Sequence, residues 1–378
     1  MDIEQKKNVI AKALEKYSAS HKRDVNIGFG NIAPVTYLKT PFITLNKMMN
    51  GGIPNGKFGV IGGPERVAKT TLLLQIIAYN QAINEEFVAL WTDTEDALDI
   101  DWCIKLGVDI ERLIVQNRPE HEEHQHMEEL LEEGLAIVKT KAVNMWVIDS
   151  IGGLIPKSEL DKHMEDSTML DLQRKFGVFF RKAIKLISPT NDGWLGCPTI
   201  FIGQIYDVPS TSKFKITAIR GGNAVKHWAY WRLMARRAAQ DSFTGGFIKY
   251  TPPGSAKAKT ILSGWPQVLT LEKSKMNDQE LREVILEFKY GRGLDAIHCN
   301  ICALIANEVL ELGGGGWYKH ELLPDGKVRG KEAIFELLTK DNELRTKLVE
   351  ELDTKIYNNL GELTNDGQME YTESNESD

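Results

Sequence analysis

Cysteine is scarce in this sequence: Cys103, Cys197, Cys299 and Cys302 are the four in 378 residues. That is too few for a disulfide framework in so long a chain and suits a reducing compartment. No stretch approaches the roughly 18 uninterrupted apolar residues that a membrane span needs. The first twenty residues, MDIEQKKNVIAKALEKYSAS, are charged throughout and lack the apolar centre of a signal peptide, so a cytoplasmic location and no membrane partner are expected. Glycine (32) and proline (13) are not in excess and 42% of residues are hydrophobic, which excludes a fibrous or wholly disordered chain. Bases are outnumbered, 46 Lys and Arg against 53 Asp and Glu, for a formal net charge of −7. Alone, that balance speaks against a nucleic-acid partner, but net charge does not say where charge sits.

A chain of 378 residues exceeds the roughly 250 to 300 at which a single core stops growing, so two or three units are expected. Ile3, Val9, Ile10, Ala13, Leu14 and Tyr17 fall close to helical spacing with Lys and Glu between them, which predicts an amphipathic helix over 3–18. SHKRDVNIGFGNIAP reads as a connection, leading to a Gly-rich turn, NGGIPNGK, at 50–57. From Phe58 short apolar runs alternate with helical patterns: FGVIG (58–62), FVALWTD (87–93), residues 113–115, MWVID (145–149) and TIFIGQI (199–205). Continuous apolar strands separated by helices predict an α/β fold with a mainly parallel sheet covered on both faces. Beyond Trp228, GGFIKY, QVLTLEK and REVILEFKY alternate as antiparallel strands do, and helical patterns return at 297–312 and 331–358. The final eighteen residues, GELTNDGQMEYTESNESD, hold six acids and no base and read as a disordered tail.

GPERVAKTT at 63–71 follows a predicted strand and opens the helical pattern TTLLLQIIAYNQ. A phosphate-binding loop asks for Gly, four residues, a second Gly, then Lys and Ser or Thr, because backbone N–H groups wrap the phosphates at a helix N-terminus. Gly63 meets the first position, Pro64, Glu65, Arg66 and Val67 fill the span, Ala68 replaces the second Gly, and Lys69, Thr70 and Thr71 follow. Lys69 would reach the β- and γ-phosphates, and the Thr70 hydroxyl would hold Mg2+. The Cβ of Ala68 stands where the backbone should approach phosphate closely, which would change loop shape or affinity. An ordinary Gly-Pro turn before a helix is the alternative. Asp149 ends the apolar run in VNMWVIDS and would act on the same cation through a bound water, although many strands end in Asp. Glu95, in WTDTEDALD, falls on the rim where parallel sheets bind ligands and would activate a water for attack on the γ-phosphate. Gln204, ending TIFIGQ on the same rim, is an uncharged donor suited to sensing that phosphate.

Together these residues resemble the RecA recombinase family. GPERVAKTT, TEDALDIDWCIKLGVD, VIDSIGGLIPKSEL, FIGQI, RGGNAVK and KYGRG occur in the family's order and at about its spacing, over most of the chain. The Ala68 departure and the acidic tail are most similar to the phage members, the UvsX-type recombinases. The resemblance implies a P-loop RecA-like core, an N-terminal helical extension and a small α/β C-terminal lobe. The corresponding segments are an oligomerisation helix and linker at 1–45, the ATPase core at 46–296, the lobe at 297–360 and the tail at 361–378. It implies ATP and Mg2+ as cofactors, Glu95 as activator of water, Gln204 as γ-phosphate switch, and Lys69, Thr70 and Asp149 as the nucleotide–Mg2+ set. Asp99 and Trp102 fall where the family contacts and stacks on adenine, Trp102 replacing a usual Tyr. Lys273 and Lys275, spaced K-x-K, match a pair that reaches the ATP of the neighbouring subunit. Tyr290 and Gly291 match another contact across that interface, so hydrolysis and filament assembly would be coupled.

The run PKSELDKHMEDSTM after Asp149 resembles the family's first mobile DNA loop, with Met169 matching and Arg174 and Arg181 on the next helix. YDVPSTSKFKITAIRGG after Gln204 resembles the second, which brings Lys213, Phe214, Lys215, Ile216, Arg220, Gly221, Gly222, Asn223 and Lys226 into the DNA set. The residue chemistry agrees: Gly221 and Gly222 allow close approach, Lys and Arg neutralise phosphates, and Phe214, Ile216 and Ile219 can insert between bases. Between Val208 and Gln240 stand Lys213, Lys215, Arg220, Lys226, Arg232, Arg236 and Arg237 with no acid, a basic face within an acidic chain. The expected protein is a DNA-dependent ATPase that forms a helical filament on single-stranded DNA, pairs it with a homologous duplex and exchanges strands. Single-strand-binding and loader proteins are expected as further partners. A filament-forming mediator with weak ATPase and a RecA-fold ring helicase are the alternatives.

Residues 238–266 look longer than the family's hairpin and carry no assigned role, and His227 occupies a position often aromatic at the family's subunit interface. The Cys299-x-x-Cys302 pair lies in a pattern that reads as a buried helix, His121, His124 and His126 lie on a Glu-rich solvated face, and GGGGWY reads as a turn. Of the net charge of −7, the final eighteen residues hold −6, so residues 1–360 carry −1. The hypothesis is that this tail competes with DNA for the basic face. Truncation after Leu360 should tighten duplex binding or lower its Mg2+ requirement in a filter-binding titration; no change in either refutes the competition.

Overall fold

Every residue of FGVIGG at 58–63 is buried, as a strand covered on both faces requires. The structure, a computed structural model, describes residues 1–21, 35–117, 126–160, 169–208, 216–219, 221–239, 247–250, 259–276 and 282–365. Residues 1–36 form one unit, containing α1 (Ile3–His21), on which Ile3, Val9, Ile10 and Tyr17 are exposed. The second unit opens with β1 (Tyr37–Leu38), α2 (Ile43–Met48) and β2 (Ile53–Pro54). Strands and helices then alternate: β3 (Phe58–Gly63), α3 (Lys69–Ile83), β4 (Ala89–Asp93), α4 (Ile100–Lys105), β5 (Leu113–Gln116), α5 (Met127–Lys139), β6 (Met145–Asp149), α6 (Lys157–Leu160), α7 (Met169–Ile187) and β7 (Thr199–Val208). Next come β8 (Ile216–Ile219), α8 (Gly222–Trp228), β9 (Trp231–Arg237), β10 (Phe247–Tyr250), β11 (Lys259–Leu262), β12 (Gly264–Ser274), β13 (Glu283–Lys289) and β14 (Gly293–Leu294). The chain closes with α9 (Ala296–Ala306), β15 (Glu311–Gly313), β16 (Trp317–Lys319), β17 (Lys327–Arg329), α10 (Lys331–Lys340) and α11 (Asn342–Asn365).

The main sheet has the order β14-β13-β12-β9-β3-β7-β6-β4-β5. Strands from β9 to β5 are parallel, while β12, β13 and β14 extend it as an antiparallel flank. Side chains alternate between two cores, as the two-residue strand period demands. Ile61, Trp91, Val147 and Ile202 join α3 residues Leu72, Leu73, Ile76 and Ile77 on one face. Val60, Leu90, Trp146 and Phe201 join α5 and α7 on the other. On α7, Phe176, Phe179, Phe180, Ala183 and Ile187 recur at helical spacing and are buried. Phe180 meets Phe58 edge to face with ring centroids 4.7 Å apart.

The helical pattern at 297–312 ends early: α9 stops at Ala306, Glu308 takes a left-handed φ of 57°, and Glu311–Gly313 is a strand. The pattern at 331–358 is two helices, because Asp341 accepts a hydrogen bond from Leu344 N (2.9 Å) and starts a new one. That second helix continues to Asn365, five residues past the tail boundary drawn at 360. GGGGWY is the connection from β15 to β16. The insertion contains the β10–β11 hairpin, which stands outside the main sheet. Cys299 is buried on α9, its thiol pushed up to about 12 by burial, and no three His, Cys, Asp or Glu are arranged for a metal among the described residues. His121 and His124 lie outside the described residues, whereas His126 caps α5 through Glu129 N. Among the described residues no helix is long and apolar enough to cross a membrane.

The distance from α5 to the sheet depends on Gly134, where a Cβ would lie 2.2 Å from the buried Trp146 ring. Ala is the better helix former by about 1 kcal/mol, yet Gly134→Ala should destabilise the chain by about 1–3 kcal/mol through overpacking. Urea denaturation of both proteins measures this, and an unchanged midpoint would show that the helix can back away freely.

Candidate functional site

Strand β3 delivers the backbone to a turn whose shape is fixed by two left-handed residues. Gly63 has φ 148°, and a Cβ there would sit 2.3 Å from Ala235 O. Arg66 (φ 58°) and Ala68 (φ 60°) alternate in hand with Val67, which is buried in the core. Such alternation turns successive N–H groups to one side and makes an anion-binding concavity. Ala68 is the N-cap residue of α3 and adopts the conformation for which glycine is normally used, at a cost of roughly 1–2 kcal/mol. Lys69 is buried, and its Nζ donates to Gly63 O (2.9 Å) and Pro64 O (2.5 Å). Burial lowers the Lys69 pKa, while Asp149, Glu65 and Glu95 favour its charged form.

Register brings the other groups to the same rim. Gly63 is level with Gln204, and Asp149 pairs with both Asp93 and Ile202. Thr70 Oγ1 donates to Asp149 Oδ2 at 2.8 Å. Burial raises Asp149 to about 6; the Thr70 bond opposes this, and Glu95 and Asp93 reinforce it. Glu95 accepts hydrogen bonds from Ser150 Oγ and, at 3.5 Å, from Gln204 Nε2. Glu95 and Gln204 open on a cleft of about 280 Å³ that Gly152, Gly153, Ile205 and Tyr206 also line. Sequence reasoning missed three supports. Asp93, buried, accepts from the N–H groups of Glu95, Ala97 and Leu98 and shapes the turn bearing Glu95. Thr94 and Ser150 join the ends of β4 and β6 through Ser150 N to Thr94 Oγ1 and Thr94 Oγ1 to Ser150 O, both 2.8 Å. Their only signal in the sequence is a polar residue just past an apolar run.

Asp99 caps α4 by accepting from Trp102 N, and Trp102 Nε1 donates to Thr71 Oγ1 at 3.4 Å. Lys105 lies 5.8 Å from the Trp102 ring and borders Gly291, so Asp99, Trp102, Thr71 and Gly291 share one side of α3, with Tyr290 exposed beside them. Lys273 and Lys275 are not part of this cluster. Lys273 is level with Arg232, which is level with Val60, some three residues and about 10 Å back along β3 from Gly63. There Lys273 Nζ donates to Lys226 O (2.6 Å) and His227 O (3.2 Å) at the end of α8, and Lys275 is exposed.

Strand β7 runs on past Gln204 and pairs with β8, Ile205 opposite Ile219 and Val208 opposite Ile216. Lys213, Phe214, Lys215 and Arg220 lie outside the described residues; Met169 opens α7 and Ile216 opens β8. Arg174 and Arg181 are exposed on α7, seven residues apart, and Asn223 and Lys226 are exposed on α8 after the left-handed pair Gly221 and Gly222. Two expectations change. Ile219 is buried against Gly62 and Gly203, so it does not insert between bases. Arg232 and Arg236 sit on β9 and pair with Glu272 of the adjoining β12 (2.9 Å) and Glu283 of β13 (3.0 Å), so their charge is offset where the basic run predicted an unopposed one.

The rim therefore offers an anion-binding turn, a buried ammonium, a hydroxyl–carboxylate pair suited to a divalent cation and a carboxylate facing a cleft. Because Asp149 holds its proton more tightly when folded than its ordinary 3.8, stability falls as pH rises from about 4 to about 6 and stays lower above that. In metal-free buffer Asp149→Asn should flatten that slope and melt higher than the parent at pH 7. Thermal melting across this range checks it, and an unchanged slope refutes it.

Comparison with known proteins agrees with this geometry. Residues 8–250 match the RecA N-terminal domain family. A Protein RecA of Thermus thermophilus is 31% identical over 313 residues, covering 83% of this chain and 82% of that protein. Protein RecA of Haemophilus ducreyi is 29% identical over 355 residues, covering 93% and 87%, and that of Acinetobacter baylyi 28% over 325 residues, covering 86% and 84%. With a matched domain that spans β3 to β10 and contains the whole rim from Gly63 to Gln204, this chain belongs to the RecA family of recombinases.

Proposed function

We propose that this protein is an ATP-dependent recombinase that assembles as a helical filament on single-stranded DNA and catalyses homologous pairing and strand exchange with duplex DNA. The observation that carries the reading is that Lys69, Thr70, Asp149, Glu95 and Gln204 converge on one rim, and that β7 continues from Gln204 into the hairpin of the second DNA segment. The turn at 63–69 binds the phosphates, with Lys69 neutralising them. The donor set fits Mg2+: Asp149 is a partly buried carboxylate beside Glu95 and Asp93, a repulsion that a cation relieves. Thr70 and Asp149 would hold the ion, which when bound draws charge from the phosphates. Glu95, oriented by Ser150, accepts the proton of the attacking water, and Gln204 links that carboxylate to the DNA-binding hairpin. Asp99, Trp102, Tyr290 and Gly291 form the nucleoside side.

Lys273 and Lys275, on the far edge from their own turn, serve the nucleotide of a neighbouring protomer, which requires the filament. The exposed apolar residues of α1 supply a further contact between protomers. Met169, Arg174, Arg181 and the segment from Lys213 to Lys226 bind DNA, and single-strand-binding and loader proteins act with it in the cytoplasm. Ala68 and the acidic C-terminal run favour the UvsX-type, phage-encoded branch. The segments at 1–45, 46–296, 297–360 and 361–378 divide into oligomerisation, ATPase, lobe and tail.

ATP turnover with and without single-stranded DNA tests the reading. The parent should be stimulated by DNA, Lys69→Ala should lose turnover, and Glu95→Gln should lose about 100-fold or more while still binding nucleotide. Undiminished turnover in either variant, or closed rings in place of filaments by electron microscopy, would refute it.

A further inference from the structure

Four carbonyls of the turn at 63–68 receive side-chain donors, from two directions. Lys69 Nζ takes Gly63 O and Pro64 O from the helix side. From the sheet side, Arg237 Nε donates to Arg66 O at 3.0 Å and Gln267 Nε2 donates to Val67 O. Arg237 and Gln267 stand directly opposite each other on β9 and β12. The Arg237 guanidinium lies over the Trp265 ring, 4.1 Å from its centroid, which restricts where its Nε can point.

Gln267 is wholly buried, and its Oε1 has no hydrogen-bond partner among the described residues. Leaving half of a buried amide unsatisfied costs stability, and the one bond this amide makes among the described residues goes to the turn. The two carbonyls held from the sheet are those of Arg66 and Val67, the residues immediately before Ala68. Arg66 and Ala68 both have φ near +60°, a region that side-chain-bearing residues tend to leave and glycine does not. Carbonyls drawn toward β9 and β12 oblige the N–H groups of the same turn to face the other way.

We propose that Arg237 and Gln267 are positioning residues for the phosphate-binding turn: by holding the carbonyls of Arg66 and Val67 they keep Ala68 left-handed and the N–H groups aimed at the phosphates. The inference rests on the reading of this turn as the nucleotide site. It gives Arg237 a task distinct from the DNA contact that its place in a basic run suggests.

Titration of the full-length chain with methylanthraniloyl-ADP and Mg2+, without DNA, tests it. Arg237→Leu, which keeps an apolar stem, and Gln267→Met, which conserves volume, should each weaken binding about tenfold. Adding Ala68→Gly to either variant should recover most of the loss, because glycine enters the left-handed conformation without the steric cost that Ala68 carries. A merely structural role would lower the melting temperature without that recovery, and this result overturns the proposal. Lys69→Ala runs beside them. Binding unchanged by Lys69→Ala means that this is not the nucleotide site, and both readings fall. Binding abolished by Lys69→Ala but normal in the Arg237 and Gln267 variants overturns the positioning role alone.

Discussion

A buried ammonium and a partly buried carboxylate have to coexist at the end of an apolar sheet, and the rest of the site is arranged around that constraint. Lys69 and Asp149 are each penalised by burial in opposite senses, one held below and the other above its ordinary pKa. Neither is left without partners: the ammonium has two loop carbonyls and the carboxylate has the Thr70 hydroxyl. Removing any one of these contacts leaves a group with too little solvent and too few bonds, which is why the turn, the helix start and the strand end are tied together.

Those ties are effective because the sheet beneath them is stiff. Trp146 and Trp231 are fully buried in opposite cores, and each meets a glycine, Gly134 and Gly59, where any side chain would collide. Close packing of this kind resists sliding of one strand past another. The pairings of Gly63 with Gln204 and of Asp93 with Asp149 are therefore held from below as well as by the Thr94–Ser150 bonds above.

The same sheet separates the two groups of basic residues. Lys69 lies at the carboxyl end of β3, whereas Lys273 is level with the middle of β3 on a strand that runs the other way and continues beyond it. A residue on one edge cannot act at the opposite edge of its own chain across several strand residues at about 3.3 Å each. Lys273 instead meets the last carbonyls of α8, where an ammonium is favourably placed against a helix C-terminus.

The sequence by itself determined the five apolar strands from β3 to β7, the turn residues Gly63 to Thr71, and the candidate groups Glu95, Asp149 and Gln204. Each is encoded locally, by two-residue or helical periodicity or by a short run of residues whose spacing the chemistry demands. Tertiary structure alone decided which strand lies beside which, and with that everything that depends on neighbours. It pairs Arg232 and Arg236 with Glu272 and Glu283, buries Ile219 and places Arg237 and Gln267 against the carbonyls of Arg66 and Val67. The physical reason is range: hydrophobic period is a property of a dozen adjacent residues, whereas a hydrogen bond from Gln267 to Val67 spans 200 residues and exists only once the sheet has formed.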